Sequence, residues 1–311
     1  MISSEILKAA FLSGAKNIAK HTAEVNSINV FPVPDGDTGT NLALTLTGCA
    51  EKIANMPETG AGELADKIAG ELFRSARGNS GVIFSLIFKG FAESVKNLES
   101  IDAVSLAKGL ENGCNEAYTS VEKPTEGTIL TVIRIAASKA SAAAAKGKSA
   151  HETFSEAVNG ARISLKSTPN LLPTLKKHGF VDAGGQGLVY IMEGMLSTDK
   201  NTLPHHNPEI KAKNITESNI IKYIYCTEFL ISPVADTDIK NFRSFLSETG
   251  DCSAVAEHSG IIKVHVHTNH PDKVLAKALE IGELSNIKID NMKIQAENGA
   301  IPWNSMQASN I

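Results

Sequence analysis

The chain has 311 residues, 42% hydrophobic and 21% charged, which is enough apolar material for two buried cores. A net charge of -4 argues against a general nucleic-acid binder, which would carry a basic surface. No apolar run is long enough to span a bilayer, no secretory leader opens the chain, and four cysteines without disulfide-like spacing (Cys49, Cys114, Cys226, Cys252) point to a reducing cytoplasm.

Residues up to about 198 read as eight amphipathic helices, at 3–20, 41–55, 61–75, 80–97, 102–120, 127–146, 151–167 and 185–197. Apolar residues recur at three- and four-residue spacing, as in Leu7, Ala10, Phe11, Ala15 and Ile18. Cys49 and Cys114 fall inside such patterns and read as buried thiols. Short connections rich in Gly, Pro, Asn and Thr make neighbouring helices antiparallel, so this region is expected to form an eight-helix up-and-down barrel.

The chain then turns polar, and alternation replaces the helical period. Strands are expected at 222–231, 252–257, 261–268 and 286–293, with helices at 238–247 and 271–281. That β-α-β-β-α-β order is a split βαβ arrangement. The expected division is a helical domain at 1–200, a linker at 201–218, a small α+β domain at 219–295 and an unstructured tail at 296–311. The tail holds Trp303 and reads as a run-out, so the chain is expected to be a fragment of a longer protein or a short version of one.

The most informative stretch is 29–41, Asn-Val-Phe-Pro-Val-Pro-Asp-Gly-Asp-Thr-Gly-Thr-Asn. Pro32 and Pro34 stiffen the approach, and Gly36 and Gly39 let the backbone turn around Asp35 and Asp37. A helical run follows at Leu42, and a helix start offers free N–H groups to phosphate. Two acids with no basic neighbour repel each other unless a cation sits between them. A plain Asp-Gly turn explains only one of the acids. Three more small-residue loops precede helices: Arg77-Gly78-Asn79-Ser80-Gly81, Lys123-Pro124-Thr125-Glu126-Gly127-Thr128 and Asp182-Ala183-Gly184-Gly185-Gln186-Gly187. Each alone is an ordinary cap or turn. If alternate helix ends converge, all four loops meet at one rim and make a nucleotide site.

In the second region, Ile262, Val264 and Val266 face one way while Lys263, His265 and His267 face the other. Two imidazoles two apart on a strand can share a cation, and zinc accepts His with Cys. Cys226 and Glu228 lie on one face of a neighbouring strand. A solvent-facing His pair is an equal alternative on composition alone. His205, His206, His258 and His270 are read as surface residues.

The motifs at 29–41, 77–82, 126–132 and 182–188 resemble the nucleotide-binding (DhaL-like) domain of dihydroxyacetone kinases, and most closely that of the catalytic subunit of bacterial fatty acid kinase. The resemblance runs to about Gln295. It implies a barrel holding ATP through two magnesium ions, with Asp35 and Asp37 as ligands. It further implies nucleotide contacts from Asn29, Thr38, Thr40, Asn41, Asn79, Ser80, Gly81, Thr128, Asp182 and Gly184. Dihydroxyacetone kinases carry a third Asp where this chain has Val30. Asn29 is the candidate substitute, an amide oxygen being a weaker magnesium ligand. That departure argues against dihydroxyacetone as substrate and agrees with the fatty acid branch. Complete catalytic subunits of fatty acid kinase carry a further C-terminal domain.

Similarity at 225–228 and 264–268 to the middle domain of fatty acid kinase implies a zinc-type site on Cys226, His265 and His267, with Glu228 as a further candidate. The implied reaction is phosphoryl transfer from ATP to a fatty acyl carboxylate, giving acyl phosphate for phospholipid synthesis. Asp35, Asp37 and Arg77 would form the catalytic set, and a separate DegV-family acyl-binding protein would present the carboxylate. A homodimer is compatible with this reading; a nucleic-acid partner and a transmembrane segment are not part of it. The alternatives are a hydroxy ketone acceptor and a non-catalytic nucleotide- or metal-sensing module.

Overall fold

A computed structural model describes residues 1–56, 59–197, 221–234 and 239–294. The helices are α1 (Ser4–Lys20), α2 (Thr22–Ser27), α3 (Thr38–Ile53), α4 (Ala61–Ser75), α5 (Gly78–Val95), α6 (Ala103–Ser120), α7 (Ile129–Ala145), α8 (Ala150–Leu171), α9 (Pro173–His178) and α10 (Ala183–Leu196). The eight long ones answer to the eight expected from periodicity. The six-residue α2 and α9 are additions, too short to show a hydrophobic period. Local chemistry sets several ends: a Ser149–Glu152 capping box opens α8, and left-handed Gly179 closes α9.

Successive long helices pack side by side, and α10 returns against both α8 and α1, so the ring closes. Phe11, Ile18, Leu42, Leu46, Leu72, Leu86, Ile133 and Ile191 fill its interior, and Cys49 and Cys114 are buried with them. Helix α5 is apolar nearly all round because it has neighbours on most sides. Against α6 it comes backbone to backbone. A Cβ on Gly90 would lie 2.5 Å from the Asn112 carbonyl oxygen, and one on Gly113 would lie 2.3 Å from that of Ile87.

The second part comprises β1 (Tyr225–Pro233), α11 (Ile239–Thr249), β2 (Gly250–His258), β3 (Ile261–Thr268), α12 (Pro271–Leu279) and β4 (Gly282–Asn291). The sheet order is β2-β3-β1-β4 with every pair antiparallel, which is the split βαβ arrangement. Strand β4 starts four residues before the expected 286, because Gly282 lies flat against β1. A Cβ there would meet the Ser232 carbonyl oxygen at 2.1 Å. Helices α11 and α12 cover one face of the sheet, burying Phe229, Ile231, Val255, Ile262, Val264 and Val266 with Phe242, Leu246 and Val274.

The other face is turned to the barrel. Lys263 Nζ donates to the Ala76 carbonyl oxygen at 2.7 Å, and the Gly78 N–H donates to Glu228 Oε1 at 2.5 Å. Arg243 donates to the carbonyl oxygens of Ser120 and Val255, and Val121 forms a β-bridge with Ala254. One expectation is corrected here, and one alternative is removed. His258 is no surface residue: it is half-buried against the barrel, its ring 5.6 Å from that of Phe73. The His265–His267 pair does not face solvent, being 1% and 5% exposed. Docking onto the helices, invisible to strand alternation, is the reason in both cases. The expected linker with His205 and His206, and the tail with Trp303, lie outside the described residues. Among the described residues, no helix is long and apolar enough to cross a membrane.

Replacing Gly90 by Val should force α5 and α6 apart and cost about 1–3 kcal/mol. Thermal unfolding followed by circular dichroism should show a lower midpoint for the helical signal; an unchanged midpoint would contradict the close packing.

Candidate functional site

The loop before α3 is held by two asparagines. Asn26 Oδ1 accepts the Gly39 and Thr40 N–H groups at 2.7 and 3.1 Å, and its Nδ2 donates to Thr40 Oγ1. Asn29 Oδ1 accepts the Thr38 N–H at 2.9 Å, and its Nδ2 donates to the Val33 carbonyl oxygen. The expectation that the α3 terminus offers free N–H groups to phosphate is therefore corrected. Its first three donors are already satisfied, as groups withdrawn from water must be. Sequence reasoning misses Asn26. A side chain thirteen residues upstream of its donor carries no local signal, although a polar residue on short α2 could prompt the question.

Helix α5 lies alongside α3, level with it. Gly78 has φ of +57°, and a Cβ there would meet Asn41 Nδ2 at 2.2 Å, so the position admits only glycine. The Arg77 N–H donates to Thr45 Oγ1, and Gly81 is packed against the same hydroxyl. The matched pairs Gly78–Asn41 and Gly81–Thr45 run in parallel, as do Gly184–Ile129 and Gly185–Val132 between α10 and α7. Gly187 against Leu42 joins the two pairs of helices. The N-termini of α3, α5, α7 and α10 thus open at one rim, as alternate helix ends of an up-and-down barrel must.

The rim is divided. Asn29, Asp35, Asp37, Thr38, Asn41, Gly78, Asn79 and Ser80 line a cavity with Cys226, His265 and His267 of the sheet. The acid pair and the Cys/His set, read from separate parts of the sequence, face one space. Thr40 and Gly81 stand behind its wall. Thr128, Asp182 and Gly184 are elsewhere on the rim: Thr128 Oγ1 caps α7 at Leu130, and Asp182 Oδ2 caps α10 at the Gly185 N–H, 2.7 Å away. The Arg77 side chain is exposed and does not line the cavity.

Burial, then the charge of Asp37, pushes the Asp35 carboxyl well above the usual carboxylate range. Burial raises Asp37 as well, although the Asn41 amide, Asp35 and the charge of Lys288 oppose it. Lys288, on β4 and paired with Asp290, is a cation that sequence reading misses. It reaches the acids only because β4 pairs with β1. Two adjacent carboxyls, both raised by burial, form a place where a divalent cation is favoured.

Across the cavity, β1 and β3 pair Cys226 with His267 and Glu228 with His265. Ligating atoms of Cys226, His265 and His267 lie within 4.8 Å of one another. Glu228 Oε1 is 3.0 Å from His265 Nδ1, while His265 Nε2 and His267 Nδ1 are buried without a hydrogen-bond partner. Orphaned imidazole nitrogens beside a thiol fit a borderline-soft ion such as zinc. Burial, then the neighbouring His265, holds His267 down at about 3, in the neutral form that binds metal. Burial pushes Glu228 up, but the hydrogen bond and charge of His265, with Lys263 and Lys288, outweigh it and hold the carboxylate at about 2. Glu228 stands behind His265 as the carboxylate that orients a ligating imidazole.

Residues 32–197 match the DAK2 domain, and the chain belongs to the DAK2-domain family. Residues 222–299 match the FakA-like middle domain of fatty acid kinase, so the two parts combine as they do in that type of kinase component. An uncharacterized protein of Staphylococcus saprophyticus is 38% identical over 308 residues, covering 94% of this chain and 56% of that protein. Protein YloV of Bacillus subtilis is 38% identical over 303 residues, covering 91% and 54%. The chain thus spans about half the length of these relatives. Among solved structures, the dihydroxyacetone kinase from C. freundii in complex with AMP-PNP and Mg2+ aligns with a TM-score of 0.49 and 17% identity, covering 63% of this chain and 34% of that one.

Burial raises Asp182 to about 7 from an ordinary 3.8, only partly opposed by the N–H groups of Gly185 and Ile129. The folded state therefore keeps the proton that the unfolded chain gives up, and stability falls as pH rises from about 4 to 7. Asp182→Asn should remove that decline, gaining on the parent by a few kcal/mol, roughly 1.4 per pH unit, in urea titrations across this range. Separately, a Cys226→Ala/His265→Ala protein should lose bound zinc by elemental analysis; unchanged zinc content would overturn the site.

Proposed function

We propose that the chain is the nucleotide- and metal-binding part of a kinase subunit that transfers the γ-phosphoryl group of ATP to a fatty acid carboxylate. The observation that carries this reading is the placement of Asp35 and Asp37 in a cavity facing the first turn of α5. No barrel side chain caps that helix end; Glu228 of the sheet takes the Gly78 N–H, and the N–H groups of Asn79 and Ser80 are left for whatever the acid pair binds. The match of the second part to a FakA-like middle domain of fatty acid kinase supports the acceptor class. In this reading residues 1–200 form the ATP-binding domain and 219–295 the middle domain.

Asp35 and Asp37 would hold two magnesium ions, with the remaining lone pair of the Asn29 carbonyl as a further ligand. Bound magnesium supplies charge neutralisation between the anionic acceptor and the triphosphate. The side chains of Thr38, Asn41, Asn79 and Ser80 orient the phosphates from the cavity wall. Lys288 adds positive charge behind the acids, and Arg77, exposed at the rim, is available to the transferring group or the incoming carboxylate. A fatty acid carboxylate is already ionised near neutrality, so no side chain need act as a general base.

Cys226, His265 and His267 would hold zinc across the cavity. Glu228 ties that site to α5, since one oxygen meets both His265 and the Gly78 N–H. The acyl chain would be delivered by a DegV-family acyl-binding protein in the cytoplasm. A hydroxy ketone acceptor is the second reading, and Val30 in place of a third acid counts against it.

Calorimetry should find that Asp35→Ala/Asp37→Ala lowers magnesium-dependent ATP affinity at least tenfold, about 1.4 kcal/mol or more. ATP consumption by the parent should require an acyl-loaded DegV-type protein. Tight ATP binding without turnover on any acceptor would instead favour a sensing module.

A further inference from the structure

Beside the Cys226 set lies a second group of ligating atoms, on the far side of His267. Strand β2 pairs Asp251 with His267, and its register then slips before Ala254. The slip is a bulge in which Cys252 takes φ of +51°, a left-handed conformation that non-glycine residues rarely adopt. A strand in regular alternation would send Asp251 and Cys252 to opposite faces. The bulge brings them to the same side, and their ligating atoms lie within 4.8 Å of each other and of His267.

The imidazole supplies the observation that points to a ligand. His267 is 5% exposed, its Nδ1 is buried without a hydrogen-bond partner, and that nitrogen lies 3.8 Å from Asp251 Oδ1. The separation is too long for a hydrogen bond and suits two donors on one ion. The thiol of Cys252 is half-buried among carboxyls, beside Asp251 and within the field of Asp35.

We propose that Asp251, Cys252 and His267 form an alternative divalent-metal site, which competes with the Cys226–His265–His267 set for the one orphaned nitrogen of His267, so that only one of the two is filled at a time. One thiolate, one imidazole and one carboxylate suit a borderline-soft ion, zinc or cobalt(II), better than magnesium. On binding, the metal–sulfur bond replaces the S–H bond, and the displaced proton leaves to solvent. The ion would sit at the β2 end of the domain interface, next to the acid loop.

Cobalt(II) titration of the metal-free full chain tests this, because a thiolate on cobalt gives a charge-transfer band that carboxylate and imidazole ligands do not. The Cys226→Ser protein should still show the band, now from Cys252. The band should be lost in Cys226→Ser/Cys252→Ser and weakened at least tenfold in apparent affinity in Cys226→Ser/Asp251→Asn. Its absence from Cys226→Ser, with the native circular dichroism spectrum retained, would overturn the proposal. So would its persistence in the double cysteine variant. The Cys252→Ser protein reports separately on the Cys226 set: a remaining band there supports that set, whichever way the second site is decided.

Discussion

Burying the polar face of a four-stranded sheet against the open end of a helical barrel is the constraint from which the site follows. Glu228, Lys263, His265 and His267 are withdrawn from water there, and a buried charge without a partner would be prohibitively costly. Each of the first two is answered by the helices: Glu228 by the Gly78 N–H and Lys263 by the Ala76 carbonyl. These contacts bracket the turn into α5, and so fix where its uncapped N–H groups point. His265 Nε2 and His267 Nδ1 are left unanswered by protein, which is why a metal is the natural completion.

The barrel rim shows how a helix terminus can be spent on structure or kept for a ligand. Asn26 and Asn29 consume the donors of α3, Thr128 those of α7 and Asp182 those of α10. Helix α5 has no such side-chain cap from the barrel. With upstream asparagines capping α3, the acids that precede it are released from that task and face the cavity instead. Rigidity in the loop and openness in the next helix are complementary parts of one design.

Much of this is legible in the chain. The eight long helices, the strand alternation and the shared face of Cys226 with Glu228 follow from local periodicity. Gly78 can be singled out as a close-approach residue, though its contact with Asn41 cannot be named. Lys288 and Asn26 escape notice, because each matters through a partner distant in sequence. His258 reads as a surface residue for the same reason: nothing local marks a histidine that docks against Phe73.

Residue spacing by itself determined the element types, the barrel order and the two clusters of ligating side chains, since backbone periods of 3.6 and 2 are local properties. Only the tertiary structure decided that the clusters share one cavity, that Thr128 and Asp182 cap helices away from it, and that a bulge in β2 turns Cys252 toward His267. Those outcomes depend on which surfaces meet when the two cores pack together, and packing couples residues that no short-range pattern connects.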